Sequence, residues 1–478
     1  RVDENGLVNY AEVLGGEEID NGKFTTNLDS WSTSSWWVWN SLGAYHPSTS
    51  LHKPLYQQCC VIGKTYLITF DLNCVGSSLA KFSLGSSTGS TTQVIDINLE
   101  SGSYSYFVTA AAEYIIFNRQ NTAEYYVNNV SVKEAARDNV PRIDYTGGGC
   151  PHILAEPQRT NLITYSSDFS NAIWTKSGSS VTLNATTSPD GTINADKLVE
   201  DTSTGGHQIQ SITSSSNSTI YTTSVFVKYA GREWIRFTDA QSSNRIHFNT
   251  LTGVFGTVSG TVIDYNKTAL ENGWYKLSLT TTSVATAYTP RIALAEADND
   301  VSYTGDGVSG VYIYGCSLEE GSYATSYIPT SGSTVTRNQD IFTRDGIGSL
   351  INSTEGVLFV EMAALSDDLT FRSISLNDGT NTNSVGIRYR TDSNRINAII
   401  KDDNGVTFQM NFDVSDITQF NKIALKYKSG DNSLYINGTE VLTNSSTFSF
   451  TSALNDASFN RGDGNDDFFG KVKQLQVY

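Results

Sequence analysis

Trp36, Trp37 and Trp39, followed by Tyr45, His46 and Tyr56, form the densest aromatic cluster in the chain. Such rings suit one chemistry well: the apolar C–H face of a sugar stacks on them while neighbouring polar groups take its hydroxyls. Successive side chains of a strand point to opposite sides, so Trp36 and Trp37 cannot both face a ligand and at least one belongs in a core. The candidate carbohydrate contacts are the outward ring among Trp36, Trp37 and Trp39, with Tyr45 and His46 beside it, and Trp234 and Trp274 further along. Core filling is the competing role for each, because roughly half the aromatics of a sandwich point inward.

Catalysis needs more than rings. Lyases of the alginate type set a Gln and a His on one strand against a Tyr and an Arg on facing strands, so that proton abstraction and carboxylate neutralisation converge. His207-Gln-Ile-Gln210 resembles that pattern only in part: His207 stands on the wrong side of the Gln, and Arg232-Glu-Trp234 is a weak substitute for the arginine strand. In the C-terminal third Glu361 lacks the second strand carboxylate a retaining glycosidase would need. No catalytic residue is assigned. Calcium suits the chain better than zinc, since Asp298-Asn-Asp300 with Asp306, and Asp463-Gly-Asn-Asp466-Asp467, offer hard oxygen ligands in Gly-containing loops. Neither segment fits an EF-hand, and solvated acidic turns are the alternative. Cys59, Cys60, Cys74, Cys150 and Cys316 lack metal-ligand spacing; Cys74 could bridge Cys59 or Cys60 in an oxidising medium.

The elements that must position these residues read as strands. Charged residues make up only 17% of the 478 and Pro only 8, which suits strand-and-turn modules with polar outer faces, and the length suits about three domains. Tyr66/Ile68/Phe70 alternate with Leu67/Thr69/Asp71, and Tyr221–Lys228 alternates likewise. Asn437-Gly438 between apolar runs signals a two-residue hairpin. A net charge of −17 opposes contact with nucleic acid or anionic lipid. No run of about 18 apolar residues suggests a membrane span. A start at Arg1 without a signal-peptide pattern suggests a fragment or processed product.

Arg1-Val-Asp-Glu-Asn-Gly-Leu7 and Pro141-Arg-Ile-Asp-Tyr-Thr-Gly-Gly-Gly-Cys-Pro-His-Ile-Leu-Ala-Glu-Pro-Gln-Arg-Thr-Asn-Leu162 together resemble a recurrent unit of tailed-phage fibre and spike proteins. Between its halves, Asn21-Gly-Lys-Phe24 and Tyr125-Tyr-Val-Asn-Asn-Val-Ser-Val132 bound a module similar to the jelly-roll carbohydrate-binding modules of bacterial xylanases and cellulases. Asn272-Gly-Trp-Tyr-Lys276 and Leu318-Glu-Glu-Gly-Ser-Tyr-Ala-Thr-Ser-Tyr-Ile-Pro-Thr330 mark a second jelly-roll. Val385–Arg390 and Phe469–Tyr478 are similar to laminin-G, concanavalin A-like sandwiches, which usually carry a little more chain, so truncation at the C-terminus is expected.

The expected architecture is all-β: a lead at 1–14, a jelly-roll at 15–136 inserted into the connector, the connector itself at 137–160, a second jelly-roll at 161–332 and a third sandwich at 341–478. The resemblance implies a homotrimeric virion fibre or spike that binds host-surface polysaccharide; the incomplete catalytic patterns suggest that it does so without cleaving it, and the net charge and lack of a long apolar run suggest no nucleic-acid or membrane partner. A depolymerase or its accessory modules, and a purely architectural or capsid-decoration role, remain the alternatives.

Overall fold

The computed structural model describes residues 1–8, 13–33, 36–47, 54–85, 93–117, 123–136, 142–147, 150–403 and 405–478. Among them there is no α-helix, only two single 3₁₀ turns between many strands. The chain forms two compact units, Glu12–Arg137 and, around it in sequence, Arg1–Ala11 with Asp138–Tyr478. The smaller unit is thus an insertion.

The inserted unit is a sandwich of two antiparallel sheets. Thr65–Cys74 shows how it forms: Tyr66, Ile68, Phe70 and Leu72 are buried, while Asp71 and Asn73 lie on the other face. Phe70 meets Phe82 and Phe117 of the facing sheet at 4.5 and 5.2 Å between ring centroids. The neighbouring strand Tyr125–Ala136 changes phase midway. Tyr125 and Val127 point inward, then Val130 and Val132 do, because a bulge between Asn128 and Ser131 inserts a residue, with Asn129 at φ +50°. Gly22, in the opening Asn21-Gly22, lies so close to this strand that a Cβ would sit 1.9 Å from the Val130 carbonyl oxygen.

The larger unit holds two further sandwiches. Two six-stranded sheets span Trp174–Glu320 around a core that includes Trp174, Ile209, Phe237, Phe248, Leu279 and Ile313. Asn161 fastens its two ends: its side-chain NH₂ donates to the Cys316 and Ile328 carbonyls, and its oxygen accepts from Ile163 and Leu318. The C-terminal sandwich stacks a six-stranded on a seven-stranded sheet. Asn437 and Gly438 both have positive φ in the hairpin between Asn432–Ile436 and Thr439–Asn444, as their types predict. Arg142–Asp144 and His152–Ala155, in the segment expected to be a connector, are strands of this seven-stranded sheet, with Ile153–Ala155 paired to Gly470–Val472. Strands of three and four residues are too short to show a period.

A buried charge cluster joins these parts. Arg142 bonds both Asp340 and Glu156, the latter at 2.9 Å; Arg337 reaches Glu156 at 2.7 Å; and the Glu156 N–H donates to Asp340 at 2.7 Å. All four side chains are at most 4% exposed. Burial alone would push the Glu156 carboxyl up, but Arg337 and Arg142 hold it well below the usual carboxylate range. Glu156→Gln leaves two guanidiniums short of charge in a dry site, and we expect it to lower the stability of this unit by about 3–5 kcal/mol at pH 7. Because the native carboxyl titrates below its unfolded value of about 4.3, the stability it contributes is present above that pH and is lost as pH falls. Urea unfolding of both proteins from pH 7 to pH 3 should show the gap narrowing towards acid.

Candidate functional site

The aromatic cluster divides between core and surface. Trp37 is buried, its ring edge-on to Tyr125 at 5.7 Å and 5.1 Å from His46. His46 is fully buried; its Nδ1–H donates to the Ala123 carbonyl at 2.8 Å, and burial lowers its pKa. Neither is available to a sugar, which corrects two of the sequence assignments. For His46 the reason is strand phase, since it lies opposite Tyr125, whose ring is in the core, while Trp37 stands just before the strand Val38–Asn40 and packs into that same core. Trp36 and Trp39 are 40% and 37% exposed, with the Trp39 indole N–H donated to the Phe24 carbonyl.

Tyr45 lies on the outer face of the sheet and stacks on Tyr126, centroids 4.7 Å apart and planes 28° from parallel. Its hydroxyl donates to Glu124 at 2.5 Å, and that hydrogen bond, with a smaller contribution from burial, pushes the phenol up to about 12. Strand register extends the pair into a platform. Val38, Tyr45, Tyr126 and Asn73 form one cross-strand row, and Asn128, Asp71 and Ser103 form the next. Asp71 accepts from the Ser103 hydroxyl and the Asn129 amide, both at 2.6 Å, which fixes its carboxylate in place. The rows are about 7 Å apart, so a sugar ring resting on the tyrosines would bring its hydroxyls over the Asp71 row. Tyr126, Asp71, Asn73 and Asn128 escaped the sequence reading, although Tyr125-Tyr126-Val127 carried the signal: with Tyr125 and Val127 inward, Tyr126 must point out.

In the larger unit Trp274 is buried, with its indole N–H donated to the Thr187 carbonyl at 3.2 Å and its ring among Phe226, Tyr314 and Tyr327, so it too is withdrawn as a contact. Trp234 is partly exposed on the outer face of its sheet. Its ring lies over Gly256, where a Cβ would come within 2.6 Å of it. His207 is fully buried, with Nδ1 2.5 Å from the Gly178 carbonyl and its ring 4.7 Å from that of Tyr303, an enclosure that keeps a polysaccharide away.

The candidate calcium loops do not assemble. Asp298 accepts from the Thr257 amide and hydroxyl; Asp306 caps Val308 and Ser309, whose hydrogen bonds hold its carboxyl well below the usual range. Asp300 faces its own turn at Ser302, Asp463 and Asp466 pair with Arg461, and Asp467 accepts from Gln339. Among the described residues no three His, Cys, Asp or Glu side chains are grouped to hold a metal ion. The acidic loops spend their oxygens on their own turns, on Arg461 and on the donors Thr257 and Gln339. The five cysteines carry free thiols, Cys59 and Cys60 with sulfurs 3.6 Å apart.

Residues 358–478 match the family model described as Laminin_G_3, the concanavalin A-like lectin/glucanases superfamily, so the C-terminal sandwich is of the type its strands suggest. Solved structures that resemble the chain include the N-terminal CBM22-1-CBM22-2 tandem domain of Paenibacillus barcinonensis Xyn10C, at 10% identity over 66% of this chain and all of that one, with a TM-score of 0.22. Domains LG4-5 of the mouse laminin alpha1 chain match at 10% identity over 58% of this chain and 86% of that one, with a TM-score of 0.21. No curated protein matches.

Core and surface rings should separate by mutation. Trp37→Ala opens a cavity and is expected to cost about 3–5 kcal/mol, whereas Tyr45→Ala with Tyr126→Ala should cost at most about 1.5 kcal/mol for the lost ring pair plus the area uncovered. Urea unfolding of the two variants measures both.

Proposed function

We propose that the chain is a non-catalytic polysaccharide-binding protein of a phage tail fibre or spike, and that the Tyr45–Tyr126 face meets the host-surface glycan. The observation that carries the binding reading is the stacked, outward tyrosine pair bordered by Asp71, Asn73 and Asn128. Rings in register with fixed polar groups match a sugar's apolar face and hydroxyl rim. The likeness of residues 358–478 to a superfamily whose description includes lectins adds support. The phage assignment rests on the lead and connector motifs alone. Weak individual sugar contacts gain from linked copies, so a homotrimer displayed on a virion fits the reading.

A polysaccharide array probed with the full chain, with calcium and with chelator, tests this reading. We expect binding to at least one bacterial surface polysaccharide, no shortened products after incubation, and at least tenfold weaker binding by Tyr45→Ala/Tyr126→Ala, a loss of about 1.4 kcal/mol or more. Shortened products would make the chain a depolymerase. Undiminished binding by the double variant would move the site elsewhere, and silence across the array would leave an architectural role. Sedimentation equilibrium decides the trimer.

A further inference from the structure

The outer face of the sheet that carries Trp234 holds three arginines that form no ion pair among the described residues. Thr238 of Trp234–Asp239 lies opposite Arg291 on one side and Arg245 on the other, and Arg236, two residues earlier on the same face, lies opposite Ala293 and His247. Gln210 and Gln208 extend these two rows on the next strand, opposite Arg291 and Ala293. Trp234 begins a third row beside Ala295 and Asn249. With strands about 4.8 Å apart, the three arginine Cα atoms fall within about 10 Å of one another.

All three guanidiniums are partly buried. Among the described residues none has a carboxylate within 4.0 Å. Nε of Arg236 and of Arg245 is shut off from solvent without a hydrogen-bond partner, and so is Nε2 of His247, whose Nδ1–H donates to the Thr257 carbonyl. Arg291 is oriented by donating its Nε–H to Gln210 at 2.7 Å, which leaves the rest of its fork free to turn outward. The acids beside this face are already engaged: Asp298, 4.0 Å from His247, accepts from Thr257, and Glu233 accepts from the Asn249 amide at 3.2 Å. Burial, with mutual repulsion at Arg236, lowers the pKa of Arg236 and Arg291; a guanidinium keeps its charge regardless. Half-buried like charges without partners destabilise a fold, and in a chain with 49 acidic residues their isolation on one face calls for an external counter-charge.

We propose that this face binds an acidic polysaccharide, with Arg236, Arg245 and Arg291 as forks for carboxylate or sulfate oxygens and Trp234 as a platform for an adjoining sugar ring. Planar guanidiniums match both anions through paired N–H donors. Gln208 and Gln210, both partly exposed, supply neutral polar groups among the charges, as a hydroxyl-rich ligand requires. The site is separate from the Tyr45–Tyr126 face, and it goes beyond the reading above by naming the charge of the ligand.

The test is isothermal titration of the full chain with polygalacturonate, a sulfated galactan and a neutral glucan at low and high salt, repeated with Arg236→Gln/Arg245→Gln, Arg236→Lys/Arg245→Lys and Tyr45→Ala/Tyr126→Ala. We expect binding to at least one acidic polymer that weakens with salt, falls at least tenfold in the Gln variant and more than threefold in the Lys variant, and persists in the Tyr variant. The polymer should raise the melting temperature of the wild type and not that of the Gln variant, which shows that the loss is local if that variant is itself stable. Polygalacturonate against the galactan separates carboxylate from sulfate recognition. Binding to neither acidic polymer, equal binding by wild type and Gln variant, or equally tight binding of a single-stranded oligonucleotide would each overturn the proposal. Loss of binding only in the Tyr variant would assign the acidic glycan to the other face.

Discussion

The larger unit depends on four buried charges. Arg142, Glu156, Arg337 and Asp340 come from segments far apart in sequence and lie almost wholly out of solvent. Removing an ion from water costs several kcal/mol even after relaxation, so the cluster is tolerable only when complete: two guanidiniums, two carboxylates, and backbone groups for the remaining lone pairs and protons. Ser326 donates its N–H to Glu156, and Arg337 donates to the Pro157 carbonyl. Completeness demands that the first strands of the connector, the exit from the middle sandwich and the start of the C-terminal sandwich all arrive together. The strand pair Arg159–Asn161 with Val335–Arg337 closes the same junction just beside it. A segment held at both ends in this way needs no stiff linker, and the two sandwiches of the unit share one anchored joint.

That junction also explains what the lead and connector motifs encode. Asp144 accepts the Val2 N–H at 2.6 Å and lies 3.2 Å from His152, while Arg1 donates to the Ile143 carbonyl. Burial opposes ionisation of Asp144, yet the nearby His152, the amino group of Arg1 and the Val2 N–H and Thr146 hydroxyl donors hold its carboxyl down at about 2. Within the motif, Arg142, Asp144 and Glu156 therefore build the joint, and Asn161 closes the middle sandwich beside it. All four are buried, so the motif speaks first of architecture, and the binding reading stands on the sheet faces.

Those faces were only partly legible in the sequence. Alternation located the strands well where one side is core, as in Tyr66–Leu72, and the Asn437-Gly438 turn declared itself through two residues that accept positive φ. Phase was harder. Trp36, Trp37 and Trp39 looked like a binding cluster because tryptophans are conspicuous, but which ring points outward is set by pairing of the following hairpin with Tyr125–Val127, a contact some 80 residues away that no local pattern reveals. His46 went inward for the same reason. Trp274 looked equally promising, and its burial depends on aromatic neighbours from two distant strands and the exit loop. The acidic loops misled differently, since the number of carboxylates says nothing of how many turn back to cap their own backbone.

Net charge describes the whole molecule and not one face of it. A charge of −17 opposes contact with nucleic acid or anionic lipid, and extending that to a smaller acidic ligand assumes the ligand feels the whole molecule. At physiological ionic strength the field of an exposed charge is screened over about 8 Å, so a ligand lying on one sheet face responds mainly to the groups on that face. There three guanidiniums without an ion pair stand beside two acids at the rim, Asp298 and Glu233, each engaged in hydrogen bonds of its own. The remaining acids act at longer range, where salt blunts them, and they disfavour a polyanion that extends across the rest of the surface. Local attraction with distant repulsion selects for ligands that fit the face and no more. This is the same reason the tyrosine face, with neutral amides and two hydrogen-bonded carboxylates, Asp71 and Glu124, is suited to uncharged sugar hydroxyls while the arginine face is suited to acidic ones.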